Sequence, residues 1–339
     1  MKKMFSYIMC LICVAVAGQA QSYYTPDLLG EGFEQHTYTL PDDYHGRVVA
    51  TLVRKKADVP ARRAVLYVHG YNDYFFQREM AEQFVDSGFN FYAVDLRKYG
   101  RSILPEHYPF EVRNLNEYFV EIDSAIYTIK NEGNQEIVLM GHSTGGLITS
   151  LYCEEHKDNL QVDALILNSP FLEWNFGATY RNFLIPLVSW LGSFMPDMTL
   201  ADEKKPSAYG QSLLKEYHGE WSFNTDWKML LAPGQRFSWI RAIDKGHDKV
   251  HGGLDIPCPV LVMFSDKSIS KETWEPGFQE ADAVLNVDDI ARYGRMLGKD
   301  VEEVAVPDGL HDLVLSRSDV RNSVYGIIFR WLAAKNLLQ

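Results

Sequence analysis

Short apolar runs alternate with amphipathic stretches along most of this chain. The apolar runs are typical of buried strands and cover 48–53, 64–68, 91–94, 137–140, 164–167 and 260–264, the first two of them rich in β-branched side chains. A further strand is predicted over 302–306, which ends in the apolar stretch 304–306. The amphipathic stretches carry apolar residues at helical spacing and cover 72–87, 117–130, 287–297 and 318–338. This alternation predicts an α/β fold with a mainly parallel sheet and helices on both of its faces.

The alternation stops between residues 172 and 254. This stretch is rich in aromatic residues, contains several prolines and has no clear strand pattern. It is therefore predicted to be a helical cap, residues 173–254, inserted into a sheet domain made of residues 21–172 and 255–339. Within the cap, the run 183–194 is apolar over a wide helical face, which favours contact with a membrane surface or closure over an apolar pocket.

The composition is that of a soluble globular protein, with 46% hydrophobic and 23% charged residues among 339. The formal net charge is −12, and no run of lysine and arginine is long enough to follow a phosphate backbone. A nucleic-acid partner is therefore not expected.

The first twenty residues have the pattern of a signal peptide. Two lysines precede an apolar run over 4–17, and the small residues Gly18 and Ala20 stand where signal peptidase reads the chain before Gln21. The run is shorter than the ~20 residues that span a bilayer as a helix. We expect cleavage of residues 1–20 and export to the periplasm or the medium, with an uncleaved anchor as the alternative.

A glycine-rich turn directly follows the predicted strand 137–140. It reads Gly141-His142-Ser143-Thr144-Gly145-Gly146. A serine nucleophile at the tip of a strand-to-helix turn takes a strained backbone conformation, and glycines two residues away on each side avoid the resulting clash. The helix that follows points free N–H groups at the serine and favours negative charge there. The pattern predicts that Ser143 is a nucleophile.

An earlier predicted strand ends in the motif Val68-His69-Gly70-Tyr71-Asn72. A tetrahedral oxyanion needs two preorganised donors. The backbone N–H groups of Tyr71 and Thr144 are the expected pair, because one follows the His-Gly turn and the other follows the nucleophile. His69 precedes the serine in the chain, so it is interpreted as bracing this loop rather than as the general base.

The candidate general base is His311, in the turn-rich segment 307–312 after an apolar stretch. An imidazole there can take the serine proton and return it to the leaving group. Two aspartates are candidates for the acid that orients it. Asp266 directly follows the strand 260–264, but Asp282 leaves room for one helix and one strand with short loops before His311. Asp282 is the predicted acid and Asp266 the alternative.

Taken together, these motifs resemble the monoacylglycerol lipase/lysophospholipase-like α/β-hydrolases, some of which are catalogued as serine aminopeptidases. The resemblance also includes segment 95–102 (Asp-Leu-Arg-Lys-Tyr-Gly-Arg-Ser) and Gly309-Leu310-His311, and it extends from residue 64 to the C-terminus. It implies an α/β-hydrolase fold with a helical cap and a serine hydrolase that needs no cofactor. The family's acid usually stands in a Gly-x-x-Asp pattern after the strand, where this chain has Ser265-Asp266-Lys267-Ser268. The surroundings of Asp282 resemble those of the family's acid instead.

The expected activity is hydrolysis of carboxylic esters with an apolar acyl or alcohol part through an acyl-enzyme. A serine aminopeptidase is the alternative, and would need cap carboxylates facing the serine to hold an α-amine. Glu173, Asp202, Glu203 and Glu216 are the available ones. A non-catalytic binding protein on the same fold is the third possibility.

No metal site is expected. His247 and His251 have the helical spacing of zinc ligands, but three nearby glycines favour a loop and no third ligand is evident.

Overall fold

The computed structural model describes residues 24–271 and 273–338, and within them the chain forms a nine-stranded sheet. The strands are β1 (Thr25–Pro26), β2 (Phe33–Thr39), β3 (Val49–Lys55), β4 (Arg63–Val68), β5 (Asn90–Asp95), β6 (Glu136–His142), β7 (Ala164–Asn168), β8 (Val260–Ser265) and β9 (Val301–Val306). The α-helices are α1 (Arg78–Asp86), α2 (Phe119–Asn131), α3 (Thr144–Glu155), α4 (Ile185–Leu191), α5 (Ala208–Leu213), α6 (Phe237–His251), α7 (Val287–Gly294) and α8 (Ser318–Ala334). The predicted signal peptide, residues 1–20, lies outside the described residues.

The strand order is β1-β2-β3-β5-β4-β6-β7-β8-β9. The strands from β5 to β9 in this order pair in parallel, while β1, β2 and β3 form an antiparallel edge that joins β5. Side chains of β4 alternate between two clusters. Leu66 packs with α2 and α3 on one face, and Tyr67 packs with α1 and α8 on the other. The predicted fold class is confirmed, and burial of both faces explains the continuous apolar runs.

The edge strands β1 and β2 were missing from the sequence prediction. Strand β2 is only partly buried and carries polar residues at most positions, so it lacks the apolar signal of the central strands. The predicted helix 72–87 is wrong over its first part. The chain runs as a loop through Asn72, whose φ is 48°, and α1 begins only at Arg78.

Helices α4, α5 and α6 lie in the segment predicted to form the cap. The loop expected near Gly246 is wrong, because α6 continues to His251. A Cβ on Gly246 would lie 2.9 Å from Leu115 and 3.2 Å from Leu147, so this glycine lets α6 pack closely on the sheet domain. No helix in the described part of the chain has the length and apolarity to cross a bilayer.

Arg101 fixes the loop that leads from β4 to α1. Its guanidinium lies 2.7 Å from Asp27 and 2.8 Å from Asp95, and it donates to the carbonyl of Phe75 at 2.9 Å. The Asp95 carboxylate also accepts from the Phe75 N–H at 2.9 Å. The three charged side chains are at most 3% exposed. Each depends on the others, because an unpaired buried charge is costly.

We expect Arg101→Met to lower the free energy of unfolding by about 3–5 kcal/mol, because it leaves two buried carboxylates uncompensated. The exposed pair of Arg78 and Glu82 supplies the matched control. Arg78→Met should cost much less, since exposed ion pairs contribute little. Chemical denaturation of both variants measures the difference, and equal losses would contradict the argument.

Candidate active site

Ser143 occupies the turn between β6 and α3 in a strained conformation. Its φ is 51° and its ψ −118°, a backbone conformation that few non-glycine residues adopt. Its N–H donates to the carbonyl of Asn168 at 3.0 Å, which fastens the turn to the end of β7. The residue is 8% exposed and lines a cavity. The turn therefore presents the hydroxyl at the carboxyl edge of the sheet.

The glycines around Ser143 are required by close backbone contacts. A Cβ on Gly141 would lie 2.6 Å from the carbonyl oxygen of Gly145, and a Cβ on Gly145 would lie 2.3 Å from that of Val68. A Cβ on Gly70 would come within 3.1 Å of the Ser143 side chain. The contacts of Gly145 and Gly70 bring the serine turn close to β4 and the loop after it, so a side chain at either glycine would separate the two.

Three side chains predicted from the sequence meet in one chain of hydrogen bonds. The Nε2 atom of His311 lies 2.9 Å from the hydroxyl oxygen of Ser143, and its Nδ1 lies 2.8 Å from Oδ2 of Asp282. His311 is 2% exposed and Asp282 is fully buried. With Nδ1 protonated and bonded to the carboxylate, Nε2 is the acceptor that can take the serine proton.

Asp282 is held by its own backbone surroundings. Its Oδ1 accepts from the N–H groups of Val284 and Leu285, both at 2.8 Å, which leaves Oδ2 for the histidine. Its main chain bonds to Lys267 and Ile269, each at 2.9 Å, so the segment after β8 folds back to support it. These bonds fix the carboxylate before any substrate binds.

The alternative acid, Asp266, lies elsewhere. Its carboxylate accepts from the N–H of Asp308 at 3.0 Å and is solvent-exposed. This bond joins the ends of β8 and β9 and does not reach the His311 ring. Of the two candidates, Asp282 is the one that the structure places against His311.

His69 uses both ring nitrogens within the loop after β4. Its Nδ1 donates to the carbonyl of Gly70 at 2.8 Å, and its Nε2 accepts from the N–H of Leu96 at 3.1 Å. Burial lowers the pKa of His69 below its ordinary value, so the ring stays neutral. This contact pattern is that of a brace for the loop.

Two backbone donors face the serine turn. Thr144 is the first residue of α3, and Tyr71 follows the glycine that touches the serine side chain. Neither N–H bonds to another backbone group in the part of the chain that the structure describes. Both remain available for the oxygen of a bound carbonyl group.

Sequence reasoning missed a buried polar network beside the histidine. Asp312 accepts from Asn168 at 2.7 Å and from Gln77 at 3.1 Å, while Asn168 also accepts from the N–H of Leu313 at 3.1 Å. His142 contacts the carbonyl of Asn168 at 3.2 Å, and burial lowers its pKa. The network fastens the His311 loop to the end of β7. No local motif announces it, because its members are far apart in sequence.

One group of side chains in this region has the spacing of metal ligands. Ligand atoms of Asp73, His142 and Asp312 all lie within 4.8 Å of one another. However, both oxygens of Asp312 already accept from amides, and Lys228 lies 2.9 Å from Asp73. Donor groups in these places favour a hydrogen-bond network and do not fit a metal ion.

His247 and His251, which have zinc-ligand spacing, each contact a backbone carbonyl. His247 reaches Phe171 and His251 reaches Leu172, both at 2.9 Å. They fasten α6 to the chain that leaves β7.

A cavity of about 470 Å³ opens over Ser143 between the sheet domain and the cap. Its lining includes the apolar side chains of Phe171, Trp174, Phe176, Trp239, Ile269 and Leu285. It also includes the polar side chains of Asn72, Asp73, Glu203, Tyr209, Lys228 and Gln235. The cavity thus offers both apolar and polar contacts to a ligand.

Tyr209 is a cap residue that the sequence gave no reason to single out. Its ring meets that of His311 edge-on, with centroids 5.5 Å apart, and its hydroxyl accepts from the N–H of Asp312 at 3.2 Å. The cap therefore contacts the histidine as well as covering the serine.

Of the four cap carboxylates considered for an amine, Glu203 lines the cavity, and burial raises its pKa. Glu173 instead lies against Arg181 at 3.5 Å, and Asp202 accepts from the N–H of Gly234 at 2.9 Å. Glu216 is exposed and does not line the cavity. Of these four carboxylates, Glu203 is thus the one inside the cavity, where Asp73 is already paired with Lys228.

Comparison of the sequence with known proteins agrees with this geometry. Residues 59–218 match the profile of the serine aminopeptidase, S33 family. Over 114 residues the chain is 33% identical to the AB hydrolase superfamily protein YisY of Bacillus subtilis (strain 168). That match spans 33% of this chain and 39% of the relative, so it covers well under two thirds of the relative's length.

Several solved structures share the fold over most of their length. A soluble variant of monoglyceride lipase from Saccharomyces cerevisiae superposes with a TM-score of 0.64 at 15% identity, covering 88% of this chain and 94% of that one. A monoacylglycerol lipase from Paleococcus ferrophilus superposes with a TM-score of 0.59 at 21% identity, covering 84% of this chain and 99% of that one. A carboxyl esterase from Bacillus coagulans superposes with a TM-score of 0.64 at 14% identity, covering 90% of this chain and 99% of that one. At these identities the likeness concerns the fold.

Substitution of the two aspartates should separate their roles. We expect Asp282→Asn to lower kcat by about 10⁴, because the amide favours the wrong tautomer of His311. Asp266→Asn is the matched control, since it removes the same charge from the same segment, and should change kcat less than about threefold. Steady-state kinetics on an activated ester measures both. The opposite ranking would assign the acid to Asp266.

Proposed function

Since this chain belongs to the α/β-hydrolase superfamily, we propose that it is an exported serine hydrolase that cleaves carboxylic esters with an apolar acyl or alcohol part. The observation that carries the proposal is the hydrogen-bonded chain of Ser143, His311 and Asp282 at the base of a cavity. The signal-peptide pattern of the first twenty residues supports export.

The reaction follows from the contacts of these groups. His311 Nε2 takes the proton of Ser143 as its oxygen attacks the ester carbonyl, and the carbonyl π electrons move onto oxygen. The N–H groups of Tyr71 and Thr144 hold that oxyanion. When it collapses, the alkoxide leaves with the proton from His311. Water then repeats the sequence on the acyl-enzyme and releases the acid.

The cavity supports an ester with one apolar part. Among its apolar lining residues, Phe176 is still half exposed. Beyond it the cap keeps a set of large apolar side chains in contact with solvent. These are Tyr180, Phe183, Leu184, Leu187, Trp190, Phe194, Met195, Met198 and Leu200. The most exposed of them is Phe183, with 72% of its surface in contact with solvent.

Soluble proteins usually expose large apolar side chains singly, whereas residues 176–200 expose ten of them. These ten side chains are called the 176–200 surface. Because Phe176 belongs both to this surface and to the cavity lining, we assign the surface to transient contact with a lipid or substrate aggregate, from which an acyl chain can pass to the serine. Contact with an aggregate would remove these aromatic side chains from water, which is favourable in free energy.

A serine aminopeptidase is the second candidate, favoured by Glu203 in the cavity lining. A carboxylate there can bind the α-amine of an aminoacyl substrate. Faster hydrolysis of an aminoacyl arylamide than of a matched acyl ester, lost in Glu203→Gln, would favour this candidate over the esterase.

The first test is covalent labelling of the nucleophile. We expect a fluorophosphonate to label the wild type once, at Ser143, and Ser143→Ala to retain less than about a hundredth of the ester hydrolysis. Ser87→Ala, at the end of α1 and outside the cavity, is the control and should match the wild type. A wild type that is folded but neither labelled nor active would favour the binding protein instead.

The second test is a series of p-nitrophenyl esters from about two to twelve carbons. Each buried methylene contributes about 0.8 kcal/mol, so kcat/KM should rise roughly tenfold or more from acetate to hexanoate. If the 176–200 surface binds aggregates, the rate on the longer esters should also rise where they become micellar. A steady fall from acetate onward would contradict the apolar assignment while leaving the triad unaffected.

A further inference from the structure

The cap is fastened directly to the loop that carries one of the two oxyanion donors. Asn72 follows Tyr71, and its amide Nδ2 donates to the carbonyl of Met229 at 2.8 Å. The N–H of Met229 donates back to Oδ1 of Asn72 at 2.7 Å. Both polar atoms of the side chain are used by one cap residue.

An ion pair lies beside these two bonds. The ammonium of Lys228 is 2.9 Å from Oδ1 of Asp73, with the lysine 9% and the aspartate 1% exposed. The lysine also lies 5.8 Å from the ring of Phe76 and 5.9 Å from that of Phe223. Such packing leaves the ammonium few other positions. We call these four residues the clamp: Asn72, Asp73, Lys228 and Met229.

The backbone at Asn72 explains why a clamp is needed. Its φ of 48° lies in the left-handed region, which costs free energy for any residue with a side chain. On the other side of Tyr71, His69 holds the carbonyl of Gly70 at 2.8 Å. The peptide between Gly70 and Tyr71 is therefore fixed by the sheet domain on one side and by the cap on the other.

We propose that the clamp positions the N–H of Tyr71 for the oxyanion, so that Asn72 and the cap residue Lys228 are positioning residues for the acyl-transfer step. This inference rests on the proposed function, because it needs an oxyanion to stabilise. A donor that is held in place loses no free energy to reorganisation when charge develops on the carbonyl oxygen. A clamp that acts this way lowers the free energy of the transition state more than that of the bound substrate.

The variant that isolates the clamp is Asn72→Gly. Glycine accepts the left-handed φ, so the substitution removes the two bonds to Met229 without adding backbone strain. The matched control is Asn336→Gly, because Asn336 also has a positive φ, of 60°, and lies after α8 away from the cavity. We expect Asn72→Gly to lower kcat about tenfold to a hundredfold, less than the loss of a whole oxyanion donor, with KM within about twofold. Asn336→Gly should leave both constants unchanged.

Lys228→Met tests the cap side of the clamp. It keeps an unbranched side chain against Phe76 and Phe223 but leaves Asp73 unpaired, so the double variant Lys228→Met/Asp73→Asn is measured with it. We expect both to lower kcat by more than about fivefold with KM nearly unchanged. A rise in KM at constant kcat would overturn the inference, because it would show that Lys228 binds substrate instead.

The affinity for an inhibitor that forms a tetrahedral adduct distinguishes positioning of the donor from a merely structural role, which would leave that affinity unchanged. The Ser143 oxygen adds to the carbonyl carbon of a trifluoromethyl ketone, and the resulting oxyanion lies at the proposed N–H donors. We expect its Ki to rise in Asn72→Gly by about the same factor as kcat falls, while thermal unfolding shows a folded protein. An unchanged Ki in a folded variant would overturn the clamp. A wild type that resists both the ketone and the fluorophosphonate would overturn the proposed function itself, so the two failures are distinct.

Discussion

The left-handed backbone of Ser143 is the constraint on which the rest of the site depends. A side chain in that conformation is tolerated only because glycines lie around it, Gly141 and Gly145 within the turn and Gly70 in the loop after β4. The close approach sets the distance between the loop after β4 and the start of α3, and with it the separation of the Tyr71 and Thr144 N–H groups. The bond from the Ser143 N–H to the carbonyl of Asn168 also holds the strained residue in place.

The acid shows how a site tolerates a change in chain path. Ser268 stands where the Gly-x-x-Asp pattern would place the acid after β8, and the chain makes an excursion before it returns with Asp282 against His311. The excursion is not free of the rest of the protein. Trp274 donates to Ser212 in the cap at 2.9 Å, and Gln279 donates to the carbonyl of the same residue at 3.0 Å. Support for the acid thus comes partly from the cap, which compensates for the longer route.

The central strands, the serine turn and the three side chains that meet there could be identified from sequence because each has a local cause: an apolar run, a glycine pair, a turn after a strand. The edge strand β2 (Phe33–Thr39) could not, since its half-exposed face gives no apolar signal. Nor could Lys228 or Tyr209, whose positions depend on how the cap packs. Even Gly246 was misleading, because a glycine that permits helix packing looks in sequence like one that ends a helix.

These contacts divide the cap into two parts with different freedom. The part from Tyr209 to Met229 bonds to the histidine loop and to the loop after β4, so moving it would break buried hydrogen bonds and a buried ion pair. The part over 176–200 instead exposes apolar side chains and contributes Phe176 to the cavity wall. Moving the second part would break ion pairs that are partly exposed, such as that of Arg181 with Asp289, so we expect it to cost less than moving the first. The N–H groups of Tyr71 and Thr144 lie outside the second part and would keep their places.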